Sequence, residues 1–269
     1  MIRPRIIPCL LIRNGGLVKT IQFGNEKYIG DPLNAVRIFN EKCVDELTIL
    51  DIDATTQRRI PNFTLIRQLA TECRMPLCYG GGVTSVEQVE RIIGLGVEKV
   101  AICSAWTTDD SLIPQAGARV GRQSLVAVID VRKNRLLNQY ETMTHSGTRA
   151  AGCDPIQMTI RAERLGAGEI VINNIDLDGT MNGYDLDLLA QVRASTTLPV
   201  TALGGAGSLH DIAALIQRLG LCGAAAGSLF VFKGSLKAVL LNYPRPAEKD
   251  ALLARCLASY DANQTATHQ

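Results

Sequence analysis

Asp130 closes the apolar run Leu125-Val-Ala-Val-Ile-Asp, and a carboxylate at the edge of an apolar scaffold can do proton chemistry. Desolvation raises its pKa and lets it act as a general acid or base near neutral pH. The competing role is a helix cap, or an ion-pair partner for Arg132 or Lys133. Two glycine turns, Gly81-Gly82 and Gly204-Gly205, each lead into a helix start, at Ser85 and Ser208. Backbone N–H groups near glycine approach phosphate oxygens closely, and a helix N-terminus adds a favourable dipole. Paired with Ser104 and with Gly227-Ser228, these turns would make two phosphate sites. Alternatively the glycines only permit tight turns. Asp51 and Asp176 follow apolar runs in the same way and are candidates to contact a ligand. A different set, Arg5, Glu46, Lys99 and Glu169, stands at the starts of four apolar runs. Two charges of each sign could close a ring of ion pairs; taken singly, each would be a solvated charge at a strand start.

The elements that must position these residues show a repeat. Glu46, Ile49, Asp53, Pro76, Gly81-Gly82 and Ser85 recur 123 positions later as Glu169, Ile172, Asp176, Pro199, Gly204-Gly205 and Ser208. The unit reads strand, acidic loop, helix, proline-led strand, glycine turn, helix. Such a unit cannot close its own sheet, so two copies must pack together. Eight short apolar runs read as strands: 6–12, 46–51, 77–79, 99–102, 125–130, 169–173, 200–202 and 222–225. Most are continuous rather than alternating, as expected of parallel strands buried on both faces. Asp31-Pro32, Asp154-Pro155, Ser85 with Gln88, and Ser208 with Asp211 mark helix starts, and Gly166 a helix end.

Alternating strands and helices over this length indicate an α/β fold, a (β/α)₈ TIM barrel built from two half-barrels. The other architecture compatible with the pattern is an open, doubly wound sheet. In the barrel, Asp130, the glycine turns, Asp51 and Asp176 fall at the carboxyl-end mouth, where active sites lie. The four charges fall on the amino-end floor. Residues 1–259 are expected to form one domain, with an eighth helix ending before Pro244, an added helix over 247–259, and a loose polar tail over 260–269.

Composition excludes several classes. With 46% hydrophobic and 20% charged residues and a net charge of +2, the chain gives no sign of nucleic-acid binding. The eight cysteines form no C-x-x-C pair or regular framework, which argues against a zinc ribbon and fits a reducing cytoplasm. Three histidines offer little for a metal site. No signal peptide or membrane span is expected.

Along nearly its whole length the sequence resembles the cyclase subunit of imidazole glycerol phosphate synthase. The matching segments include Arg5-Ile-Ile-Pro-Cys-Leu, Gly30-Asp-Pro, Gly80-Gly-Gly-Val, Ala127-Val-Ile-Asp, Gly166-Ala-Gly-Glu-Ile, Ile175-Asp-Leu-Asp-Gly-Thr and Gly204-Gly-Ala-Gly. The resemblance implies a barrel docked on a glutaminase subunit as a heterodimer, with no cofactor. Ammonia released by the partner would pass through a gate of Arg5, Glu46, Lys99 and Glu169 to a bisphosphorylated ribonucleotide at the mouth. Asp130 matches one of two catalytic aspartates, and Lys19 a lysine of the mobile first loop. The other aspartate is missing, because the family's Cys-Leu-Asp reads Cys9-Leu10-Leu11 here. Cys103-Ser104 also departs from the usual Asn-Thr pair. A kept gate with damaged proton chemistry is similar to paralogues of bacterial surface-polysaccharide clusters. These are thought to supply ammonia to an ATP-using sugar amidotransferase in lipopolysaccharide biosynthesis. The alternative is a working histidine-pathway cyclase in which Asp51, Asp53 or Asp178 substitutes for the lost carboxylate.

Overall fold

A computed structural model describes residues 3–134 and 137–267. Eight parallel strands form the centre: β1 Arg5–Arg13, β2 Leu47–Asp51, β3 Leu77–Gly80, β4 Lys99–Ile102, β5 Leu125–Asn134, β6 Glu169–Asn174, β7 Val200–Leu203 and β8 Gly223–Ala226. Each pairs with its sequence neighbour, and β8 returns to β1 with Arg5 opposite Gly223, so the sheet closes. The two-half barrel read from the repeat is the architecture found, and the open sheet is excluded.

Helices surround the ring, and their ends follow the chemistry of their caps. Asp31 accepts a hydrogen bond from Asn34 N, and Asp154 from Ile156 N and Gln157 N. Ser208 forms a reciprocal capping box with Asp211, and Gly166 ends its helix in the left-handed conformation. The main core lies between ring and helices, where Ile6, Phe39, Ile49, Leu69, Trp106 and Ile216 are fully buried.

Inside the ring, the small side chains of Cys9, Cys78, Ala101 and Ala225 accompany the branched Ile7, Val126, Val128 and Leu203. TIM barrels normally fill this space with bulky branched residues. Here a cavity of about 20 Å³ remains on the axis, room for about one small molecule of water's size.

The last quarter differs from expectation. The segment before Pro244 is not the eighth helix. After a helical turn at Ser228–Val231 it forms a small antiparallel hairpin, Phe232–Lys233 with Ala238–Val239. The eighth helix is Pro246–Thr267, so it begins at a proline, as first-turn geometry allows, and it runs through residues 260–267 assigned to a loose tail. Residues 268 and 269 lie outside the described residues. This helix is tied to the floor side by Lys249 Nζ on Asp45 Oδ1 at 2.6 Å and Arg3 on Asp250 at 2.8 Å. Tyr243, just before it, donates to Ile6 O at 2.9 Å.

Candidate active site

At the amino end, the four charges form a closed ring. Arg5 bonds Glu46 with one guanidinium nitrogen and Glu169 with the other, the second at 2.7 Å. Lys99 Nζ reaches both Glu46 Oε2 and Glu169 Oε2 at 2.8 Å. Both carboxylates are buried, and each meets two cations. Burial alone would raise the Glu169 pKa, but Arg5 and Lys99 outweigh it and hold the group below its ordinary range. Burial likewise disfavours the charges of Arg5 and Lys99, and the two glutamates reverse that, raising both. A fifth residue joins the ring: Thr201 Oγ1 donates to Glu169 Oε1 at 2.5 Å. A side chain at Gly223 would collide with that hydroxyl, so the glycine makes the room. Directly above lies the axial cavity, walled by Glu46, Thr48, Glu169 and Thr201 below and by Leu50, Ala101, Val128 and Leu203 above.

The carboxyl ends open into a cavity of about 580 Å³. Cys9, Leu50, Ala101, Val128 and Leu203 line both spaces and form the apolar boundary between them. The larger cavity gathers Lys19, Asp51, Gly81, Gly82, Ser104, Asp130 and Gly227 from the sequence-derived set, together with Leu11.

Asp130 sits on β5, directly opposite Asn173 on β6 in the strand register. Its Oδ1 accepts from Asn173 Nδ2 at 3.0 Å and its Oδ2 from Cys103 Sγ at 3.4 Å. Burial pushes its pKa up to about 6; those two donors oppose the rise and Asp178 adds to it. The capping and Arg132 or Lys133 pairing alternatives are therefore not what holds this carboxylate. A folded-state pKa above the unfolded one means a stability contribution present in acid and lost as pH rises through about 6. Asp130→Asn should accordingly stabilise the barrel at neutral pH, by about 2–3 kcal/mol for a shift of this size. Denaturant midpoints measured across pH check this, and the gain should vanish in acid.

Gly81 and Gly82 adopt φ of 121° and 70°. A Cβ at Gly81 would lie 2.3 Å from Asp51 O, and one at Gly82 2.6 Å from Arg59 O. Glycine is therefore required here by both conformation and space. Asp51 holds the wall of this turn, its Oδ1 accepting from Asp53 N and Ala54 N, each at 3.1 Å. Ser104 Oγ accepts from His145 N at 2.9 Å. That bond anchors the turn that joins Gln139–Thr144, the strand paired with the outer part of β5, to its next antiparallel partner Arg149–Ala150. His145 and Ser146 both have left-handed backbones, with φ of 53° and 55°, and Ser146 Oγ donates to Ile52 O at 2.9 Å.

On the opposite side, Gly204, Gly205 and Ser228 lie outside the cavity lining. A second hairpin, Gly16–Ile21 with Gly24–Gly30, covers this side. Its Lys19 is buried and bonds Asp178 at 2.9 and 3.2 Å and Thr20 O at 2.9 Å. Lys19 also lies over Gly227, where a Cβ would meet its Cε at 2.8 Å. Asp176 is not in the cavity lining. Its carboxylate accepts from Lys133 N at 2.7 Å and so braces the outer part of β5; Asp178 is the carboxylate that faces Lys19. The residues missed by sequence reasoning are Asn173, His145 and Thr201. Asn173 ends an apolar run just as Asp130 does, and that position was its available signal.

Among the described residues, no group of three or more His, Cys, Asp or Glu could hold a metal ion. No helix among them is long and apolar enough to cross a membrane.

Residues 5–237 match the family model described as "Histidine biosynthesis protein". A Leptospira interrogans protein provisionally named imidazole glycerol phosphate synthase subunit HisF is 53% identical over 94% of this chain and 99% of its own length. A Vibrio vulnificus protein, provisionally named subunit hisF3 of the same synthase, is 54% identical over 94% of this chain and 97% of its own length. The imidazole glycerol phosphate synthase subunit HisF of Streptomyces coelicolor is 40% identical over 85% and 90%.

Proposed function

The chain belongs to the histidine biosynthesis protein family, with a barrel of the HisF cyclase-subunit type, and from that premise we propose that it is the ammonia-conducting subunit of a glutamine-dependent amidotransferase. Its partner is a glutaminase docked on the amino-end floor. Ammonia passes the ring of Arg5, Glu46, Lys99 and Glu169, crosses the axial cavity and emerges beside Asp130. The mouth binds a phosphorylated ribonucleotide or a related phosphate ligand through Gly81, Gly82 and Ser104. Release of Lys19 from Asp178 would free a second anion position beside Gly204, Gly205, Gly227 and Ser228. The final nitrogen acceptor is a sugar handled by an ATP-using amidotransferase in lipopolysaccharide biosynthesis.

The observation that carries this reading is the contrast between floor and mouth. Every member of the floor ring is bonded to its partners, whereas the mouth has one proton-exchanging carboxylate in its centre and Leu11 in place of the other. Two carboxylates acting as complementary acid and base are worth far more than one. The other acids of the mouth do not fill the gap. Asp51 caps its own loop, Asp53 pairs with Arg13 at 3.0 Å, Asp109 accepts from Ser111 N and Oγ, and Asp178 is held by Lys19.

Steady-state assay of the barrel with an ammonium salt and the bisphosphorylated ribonucleotide of histidine biosynthesis tests the reading. Little imidazole glycerol phosphate should form, while addition of the barrel should still stimulate the glutaminase. Turnover equal to that of the Streptomyces relative would instead establish a working cyclase.

A further inference from the structure

The turn over residues 145–148 is held at the mouth from two strands of the barrel. His145 N donates to Ser104 Oγ at 2.9 Å, just past β4, and Ser146 Oγ donates to Ile52 O at 2.9 Å, just past β2. Thr148 closes the turn from within, its Oγ1 donating to His145 O at 2.7 Å. His145 and Ser146 are left-handed in succession, a conformation that residues with a side chain rarely adopt and that the surrounding bonds must enforce. Both residues line the mouth cavity. A histidine is thus held on a fixed backbone next to Ser104.

The protonation of its ring follows from its neighbours. Nδ1 lies 3.1 Å from Thr144 Oγ1. The threonine hydroxyl has one hydrogen, and it is directed at Arg149 O at 3.3 Å. Its oxygen therefore accepts from the ring, which puts the ring proton on Nδ1. Burial and the positive charge of Arg149 both lower the His145 pKa, so the ring is neutral at neutral pH. A neutral ring with its proton on Nδ1 carries a lone pair on Nε2. No hydrogen bond among the described residues engages that nitrogen. A lone pair repels phosphate oxygens and accepts from a hydroxyl or an N–H.

We propose that His145 Nε2 accepts a hydrogen bond from a hydroxyl of the ligand whose phosphate sits on Gly81, Gly82 and Ser104, so that the mouth selects a sugar phosphate over a bare phosphate. The proposal rests on the phosphate-ligand reading given above and adds the group that lies beside the phosphate. The backbone of His145 is bonded directly to the Ser104 hydroxyl, which fixes the spacing between the two contacts.

The probes are ribose 5-phosphate and inorganic phosphate, titrated separately into the full-length chain labelled with ¹⁵N in its histidine rings. The chain has three histidines, so the signal lost in His145→Phe identifies this one. Before ligand is added, Nε2 should be the unprotonated nitrogen, and ribose 5-phosphate should shift its signal saturably. His145→Phe keeps a flat ring without the nitrogen. It should bind ribose 5-phosphate about 5- to 10-fold more weakly, the scale of one hydrogen bond, and bind inorganic phosphate as the parent does. His145→Gly, which suits the left-handed backbone, takes its place if the phenylalanine variant does not fold. A proton found on Nε2 would overturn the site, as would unchanged affinity for ribose 5-phosphate. Equal weakening of both probes would overturn it too, and would leave His145 as a support for Ser104 alone. Binding of neither probe to the parent would remove the phosphate-ligand reading, and this site with it.

Discussion

Leu11→Asp is expected to raise imidazole-ring closure with ammonium as nitrogen source by about 10²-fold or more, the usual scale of a positioned acid or base. The geometry favours this gain. Leu11 lies on β1 and lines the same cavity as Asp130 on β5. In the closed strand order these two strands are four steps apart in either direction, so the two positions face each other across the mouth. A carboxylate on each side could give a proton to one end of the reacting group and take one from the other. Leu11 packs with Leu50 and Leu203 in a mostly apolar layer, so the new carboxyl should also have a raised pKa. Leu11→Asn serves as the control, since it adds polarity and hydrogen bonding without an exchangeable carboxyl proton. Equal rates for the two variants would show that proton transfer at position 11 is not what limits the parent.

Lys99→Ala should have the largest effect on both stability and coupling. It leaves Arg5 alone against two buried carboxylates, and breaking a buried ion pair from one side typically costs about 3–5 kcal/mol. Solvent access to Arg5 and Lys99, with side chains 25% and 19% exposed, places the expected loss at the lower end, about 3 kcal/mol. In the Leu11→Asp background, where ring closure can be read directly, glutamine-driven product should fall well below ammonium-driven product. The measurement is the ratio of product formed to glutamine hydrolysed by the docked glutaminase. An unchanged ratio would remove Lys99 from the ammonia path, whatever its effect on stability.

The fold was largely legible because its signals are local and repeated. Proline-led strands, glycine turns with serine caps, and a constant offset between copies each reflect short-range sterics and hydrogen bonding. The floor ring was legible for a related reason: a charge at the first position of an apolar strand has a predictable height in the barrel. What was not legible depended on contacts between distant segments. The hairpin carrying Lys19 turns at Gln22 and Phe23, both left-handed, with none of the Asn-Gly signal that normally marks such a turn. Strand β5 continues past Asp130 through Arg132, Lys133 and Asn134, polar residues held by antiparallel pairing and by Asp176, not by apolar burial. The eighth helix was placed too early because the segment after Ser228 is apolar enough to pass for one, although Gly234 and its paired edges make a hairpin. Asn173 went unnoticed because an asparagine after an apolar run usually marks a turn. Only the facing Asp130 gives it meaning.

The bond from Tyr243 to Ile6 O spans 237 positions, and the pairing of Arg5 with Gly223 spans nearly as many. The first strand of the barrel therefore waits for the eighth before both its edges are satisfied. Contacts this distant in sequence slow the final step of folding. Until then β1, with Ile6 and Ile7, presents an open apolar edge during synthesis. A nascent chain arrested before β8 should accordingly bind chaperones or aggregate, even with seven strands already made.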